Sequence, residues 1–205
     1  MKNLSGPDLR TGLVGDTFSG DVTLTESLRL TRQGVIAADD IETFYELYSL
    51  AFDHLKTLAF GRQVLTRAEF VSQMTDDRVW KYVAWTAEDE PVGLTTLTRA
   101  LETVPWISPD YFRAHYPEQW SRNAVYYLGF TLAHPRLRHQ RFLESLLRAA
   151  LDELAEARAV VAFDVCAYDE RVLRFSSRIE GFLTEHPVAD FATVDTQNYS
   201  RITFG

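Results

Sequence analysis

From Asp39 onward the apolar positions recur at helical spacing. Ile41, Phe44, Leu47, Tyr48 and Phe52 fall three and four residues apart, which lines side chains along one face of a helix, and Asp39 or Asp40 is available to cap its start. A second helix is predicted near Arg67 to Met74, where Thr66 followed by Glu69 makes a candidate capping box. The period then changes. WKYVAWTAEDEPVGLTTLTRAL, Trp80 to Leu101, predicts an antiparallel hairpin with β-branched and apolar runs on either side of the acidic turn Glu88-Asp89-Glu90 and Pro91 beyond it. Upstream, LRLTRQ from Leu28 to Gln33 predicts a first strand, and residues 1–24, rich in Gly, Ser, Thr and Asp, read as an irregular arm.

AVYYLGFTLA, Ala124 to Ala133, is the strongest strand pattern in the chain. HPRLRHQ turns it into a helix that buries Phe142, Leu146, Leu147, Ala150, Leu151 and Leu154, after which Ala159 to Ala167 alternates Val161, Phe163 and Val165 against Ala162, Asp164 and Cys166. Strand, helix and strand make a βαβ unit. A further helix from Glu170 to Ile179 is expected to close at Gly181, where positive φ costs little, and FATVD and YSRITFG are expected to finish the sheet. The implied class is α/β (mixed α+β): one central mixed sheet flanked by helices, in a single domain over residues 25–205.

Val104 to Asn123 breaks periodicity with three prolines and gathers Trp106, Tyr111, Phe112, His115, Tyr116 and Trp120. Two readings stay open: a surface excursion fastened by its aromatics, or a loop that covers substrate, with Trp106, Tyr111, Tyr116 and Trp120 lining a pocket beside the Ala124–Ala133 strand.

Composition narrows the partners. A formal net charge of −8 disfavours general nucleic-acid binding. A lone cysteine, Cys166, excludes an intramolecular disulfide and suits a reducing, cytoplasmic setting. The first residues contain no apolar run suited to a signal sequence and nothing later approaches the length of a membrane span. Five scattered histidines give no short-spaced metal-ligand set, so no metal is expected.

The chemistry concentrates where strand meets helix, from Gly129 through Arg141. A helix start offers unpaired amides and a positive dipole end to a diphosphate, and Arg136, Arg138, His139 and Arg141 surround it. With its order of elements, the segment LGFTLAHPRLRHQRFLESLL resembles the GNAT superfamily of acyl-CoA-dependent N-acyltransferases, in which a bulge splays the fourth strand from the fifth and a Gln/Arg-x-x-Gly-x-Gly/Ala loop cradles pyrophosphate. Arg138 matches the leading residue of that loop, whereas Arg141 and Leu143 stand where the family has small residues. The resemblance implies acetyl-CoA or another acyl-CoA as cofactor, contacted by Phe130, Leu132, Arg138, His139, Gln140 and Arg141. It also implies a small-molecule or peptide amine as acceptor, and it leaves a homodimer open.

A second match lies in CAYDERVLRFSSRIEGF, similar to the family's Asn-x-x-Ala-x-x-Leu-Tyr-x-x-x-Gly-Phe. Ser177 then occupies the place of the tyrosine that protonates the departing thiolate, and Tyr168 is the alternative donor. His115 and His134 are candidate bases, each open to a merely structural role. Asp164 either orients a substrate amine or ends in water. Two functions follow: transfer of an acetyl or short acyl group to an amine, or a catalytically inactive GNAT-like binding or interaction protein.

Overall fold

The computed structural model describes residues 28–135, 146–148, 154–183 and 190–204. Strand β1 spans Arg29–Gln33. Helix α1 follows over Ile41–Phe52 and buries Ile41, Phe44, Leu47, Tyr48 and Ala51, the stripe expected from their spacing. A single 3-10 turn, Ala38–Asp40, leads into it; Asp40 occupies the N-cap position without a side-chain bond to the helix, so neither Asp39 nor Asp40 caps as the sequence suggests. After the short α2 (Leu55–Leu58), α3 spans Arg67–Thr75 and starts with the expected capping box. The Glu69 amide donates to Thr66 Oγ1 over 3.3 Å and the Thr66 amide donates to Glu69 Oε2 over 2.7 Å.

Strands β2 (Val79–Trp85) and β3 (Pro91–Thr98) form the predicted antiparallel hairpin. The aromatic segment between β3 and the next strand is helical in two short pieces, α4 (Pro109–His115) and α5 (Pro117–Ser121), each opened by a proline in the first turn, where its missing N–H has no intrahelical role. Strand β4 spans Val125–Ala133 and β5 Val160–Ala162. The sheet order is β1-β2-β3-β4-β5, antiparallel except for the parallel β4–β5 pair.

Two layers cover the sheet. On one face α1 and α3 pack Phe44, Tyr48, Phe70 and Met74 over Val83, Leu94 and Leu132. Farther along that face, α4 and its flanks pack Leu101, Val104 and Phe112 over Val125 and Tyr127. The register supports one face for both, because Leu94 pairs with Leu132 and Thr98, four positions on, with Tyr127. The opposite face holds Tyr82, Ala84, Leu97, Tyr126 and Leu128 against Leu146, Leu147, Leu154 and Ile179.

Three further expectations are corrected. The strand read over Ala159 to Ala167 pairs only over Val160–Ala162, because β4 turns away from it. The helix expected to close at Gly181 is two helices, α6 (Ala167–Leu173) and α7 (Phe175–Leu183), separated by Arg174 at φ 50°. Helical backbone runs through Gly181, which has no positive φ. Glu170 makes the break workable by accepting from the Ser176 amide and hydroxyl, satisfying groups that the interrupted helix leaves over. Finally, FATVD and YSRITFG add no strand: residues 190–204 carry no regular structure and reach the body through rings, Phe191 against Phe163 and Tyr199 against Phe60. The arm at residues 1–24 lies outside the described residues.

Candidate functional site

The site begins with a counting mismatch in β4. Thr95 pairs with Thr131 and Leu97 with Leu128, so two steps along β3 oppose three along β4. The extra residue falls at Gly129–Phe130 and makes a β-bulge, which sharpens local twist and re-aims side chains. Tyr127 before it and Leu132 after it consequently face the same side of the sheet. Gly129 is required there by proximity: a Cβ on it would lie 2.3 Å from Thr96 Oγ1, and Thr96 is buried. Beyond the bulge, the Thr95 and Thr131 hydroxyls bond at 2.7 Å and hold the new register.

The twist carries β4 away from β5. Their pairing covers Val125↔Val160, Tyr126↔Val161 and Tyr127↔Ala162, and stops. From Leu128 to Ala133, β4 has no strand beside it on that side among the described residues. Phe163–Cys166 continues without strand pairing, with the Phe163 ring held edge-on by Phe175 at 5.7 Å. Among the described residues, β4 therefore presents an edge without a strand partner on that side over Leu128–Ala133, and backbone groups on such an edge are available to pair with an extended ligand.

A polar cluster sits at the base of this opening. Tyr127 donates its hydroxyl proton to Asp164 Oδ1. Trp106, from the aromatic segment, shares its indole N–H between Tyr127 Oη at 2.9 Å and Asp164 Oδ1 at 3.2 Å. Desolvation lifts the Asp164 carboxyl above its ordinary range, with the Trp106 N–H acting in the opposite direction. Alternation along the β5 direction explains the placement, since Asp164 faces away from Val161 and Phe163, which pack on the other side. Tyr127 did not stand out in the sequence, because nothing in AVYYLGFTLA distinguishes it from Tyr126 without the bulge position.

The other sequence-derived candidates separate. Tyr111, Tyr116 and Trp120 pack around the cluster of Leu101, Val104, Phe112, Val125 and Tyr127, so the aromatics both fasten the segment and bring one member, Trp106, to the opening. Phe130 packs against the rings of Tyr48, Phe52 and Phe70, and Leu132 is buried in the same cluster. His134 follows β4, its amide donating to Val92 O at 2.8 Å. His115 is exposed at the end of α4, stacked on Tyr111, with Nδ1 2.9 Å from the Tyr111 carbonyl.

Tyr168 lies in the first turn of α6, edge-on to His54 at 5.9 Å, and with Cys166 borders the α1–α3 cluster. Burial raises the Cys166 thiol above its ordinary pKa, which favours the unreactive form. Ser177 is exposed on α7. Arg138, His139, Gln140 and Arg141 lie outside the described residues. Among the described residues no three His, Cys, Asp or Glu side chains converge as metal ligands would, and no helix is long and apolar enough to cross a membrane.

No family model matches the chain, and no curated protein does. Solved structures do. An aminoglycoside antibiotic 6'-N-acetyltransferase from Acinetobacter baumannii superposes with a TM-score of 0.51 at 12% identity, covering 87% of this chain and 100% of that one. The fold is GNAT-like. A ribosomal-protein-alanine N-acetyltransferase from Brucella melitensis biovar Abortus 2308 matches at 0.50 and 10% identity, over 86% of this chain and 100% of that one. At such identities the likeness extends to architecture alone.

Proposed function

We propose that the chain is a divergent member of the GNAT superfamily and transfers an acetyl or other short acyl group from acyl-CoA to an amine. The observation that carries this reading is the loss of β4–β5 pairing beyond Tyr127, produced by the bulge at Gly129–Phe130. It leaves a row of β4 amides able to pair with the pantetheine arm and to polarise the thioester carbonyl. Arg138, His139, Gln140 and Arg141 would hold the phosphates, Arg138 through paired guanidinium bonds. Phe130 and Leu132 set the backbone of this edge by their anchorage in the core. Both structural neighbours are named for acetyl transfer to nitrogen, which supports an amine as acceptor.

The acid that meets the departing thiolate is Tyr168 in this reading. Exposed Ser177 has too high an intrinsic pKa to serve directly. That same serine is the observation favouring the second reading, a GNAT-like protein that binds ligand without turnover.

The test is incubation with acetyl-CoA and a panel of primary amines, following free thiol and acetylated product by mass spectrometry. Acetyl-CoA affinity should fall roughly tenfold to hundredfold in Arg138→Ala, as expected for a lost charge-assisted bond. Binding of acetyl-CoA with no product from any amine would favour the second reading; absence of binding would refute both.

A further inference from the structure

We propose that Trp106, Tyr127 and Asp164 form a seat for a primary alkylammonium, in which Asp164 accepts the proton an amine must lose before it attacks. The three residues come from separate parts of the chain: the segment before α4, the last position of β4 that pairs with β5, and the stretch beyond β5. They meet where the sheet opens. The Tyr127 hydroxyl is engaged twice, accepting from the Trp106 indole and donating to Asp164, and Tyr127 is buried; it positions the carboxylate and does not reach solvent. Both donors fall on Oδ1, so Oδ2 takes a bond from neither.

Trp106 is 49% exposed although its N–H is bonded inward. An indole pinned at its polar edge with much of its surface open offers a π face to a cation, and a carboxylate beside it supplies the acceptor for an N–H. A neutral alcohol of the same size can donate an O–H to the carboxylate but gains neither the cation–π attraction nor the charge pairing. The chemistry balances: the ammonium gives one proton to Asp164, the amine lone pair forms the C–N bond at the thioester carbon, the C–S bond breaks as Tyr168 protonates the thiolate, and the second nitrogen proton restores Tyr168 through water. Asp164 returns its proton to water.

The proton step rests on the acyl-transfer reading, but ammonium binding does not, and the experiment keeps them apart. The four tryptophan indoles are observed by nitrogen–proton correlation spectra, with Trp106 assigned from Trp106→Phe, during titration with propylammonium chloride and with 1-propanol. The expected result is a saturable shift of the Trp106 resonance with propylammonium alone, weakened at least tenfold in Asp164→Asn and about threefold in Tyr127→Phe. Unmoved resonances of the other three indoles in the variants show that they remain folded. Equal shifts with propylammonium and propanol, or an unchanged titration in Asp164→Asn, would overturn the seat. A seat that binds propylammonium in a protein with no acyl transfer contradicts the proposed enzyme and leaves the seat standing. Acyl transfer with unaltered kcat/KM in Asp164→Asn contradicts the proton role and leaves the enzyme standing.

Discussion

Replacing Gly129 with alanine would put a methyl carbon 2.3 Å from Thr96 Oγ1, far inside contact distance. The obstacle is not the tip of a flexible chain. Thr96 is 2% exposed and its β-branched side chain has one stiff torsion, so relief must come from β4 moving outward or from Thr96 changing rotamer. Overpacking of this kind costs about 1–3 kcal/mol. The reduced freedom of alanine in the unfolded chain returns about 0.4–1 kcal/mol at most, which leaves a net loss of about 1–2 kcal/mol. Thr96→Ala removes Oγ1, and the next atoms a Cβ at 129 would meet, Thr96 Cβ at 3.6 Å and its carbonyl oxygen at 3.8 Å, are at ordinary separations. The double variant should therefore lose less than the sum of the single ones, with a favourable coupling of about 1 kcal/mol or more. Urea unfolding of the four proteins, read at constant slope, measures this. Additive losses, or a neutral Gly129→Ala, would show that close packing against Thr96 is not what reserves this position for glycine.

Two other outcomes follow from local geometry. Lys81 is fully buried and donates to the carbonyls of Gly34 and Asp76, and burial pulls its pKa down to about 8. Between that value and the ordinary 10.5 the unfolded chain binds the extra proton, so wild-type stability should rise with pH across the window relative to Lys81→Met, by about 3 kcal/mol at the upper limit; a flat difference across guanidinium titrations from pH 7.5 to 10.5 would contradict it. A neutral amine still has two protons for its two carbonyls. At the start of α3, Thr66→Ala removes the acceptor for the Glu69 amide and should lower stability by about 1 kcal/mol, while Thr66→Ser, which keeps the oxygen, should restore most of it in the same unfolding assay.

What was legible in the sequence was periodicity and cap chemistry. The stripe of α1, the Thr66–Glu69 box, the β2–β3 hairpin and the buried Leu146, Leu147 and Leu154 all follow from local rules. What was not legible required knowing a neighbour. Val160–Ala162 and Phe163–Cys166 have similar strand propensity, yet only the first stretch pairs, because pairing depends on the course of β4 after its bulge. The C-terminal segment is rich in strand-forming residues and forms no strand, since propensity of this kind is realised only against an available partner. Arg174 takes the left-handed conformation expected of Gly181, and the Glu170 carboxylate accepts from the Ser176 amide and hydroxyl just beyond it, a cap that the residue's own preference does not signal. Asp164 was singled out by its face, but its role could not be read before Tyr127 and Trp106 were seen to converge on it.

The claim that the parted β4 edge receives the acyl-CoA arm is tested most directly by backbone hydrogen exchange with and without saturating acetyl-CoA. Amides of Val125–Tyr127 are already paired within the sheet and should exchange alike in both states. The account predicts added protection in the stretch Leu128–Ala133, confined to amides on the side facing β5. Unchanged exchange throughout β4 at saturating acetyl-CoA would contradict it.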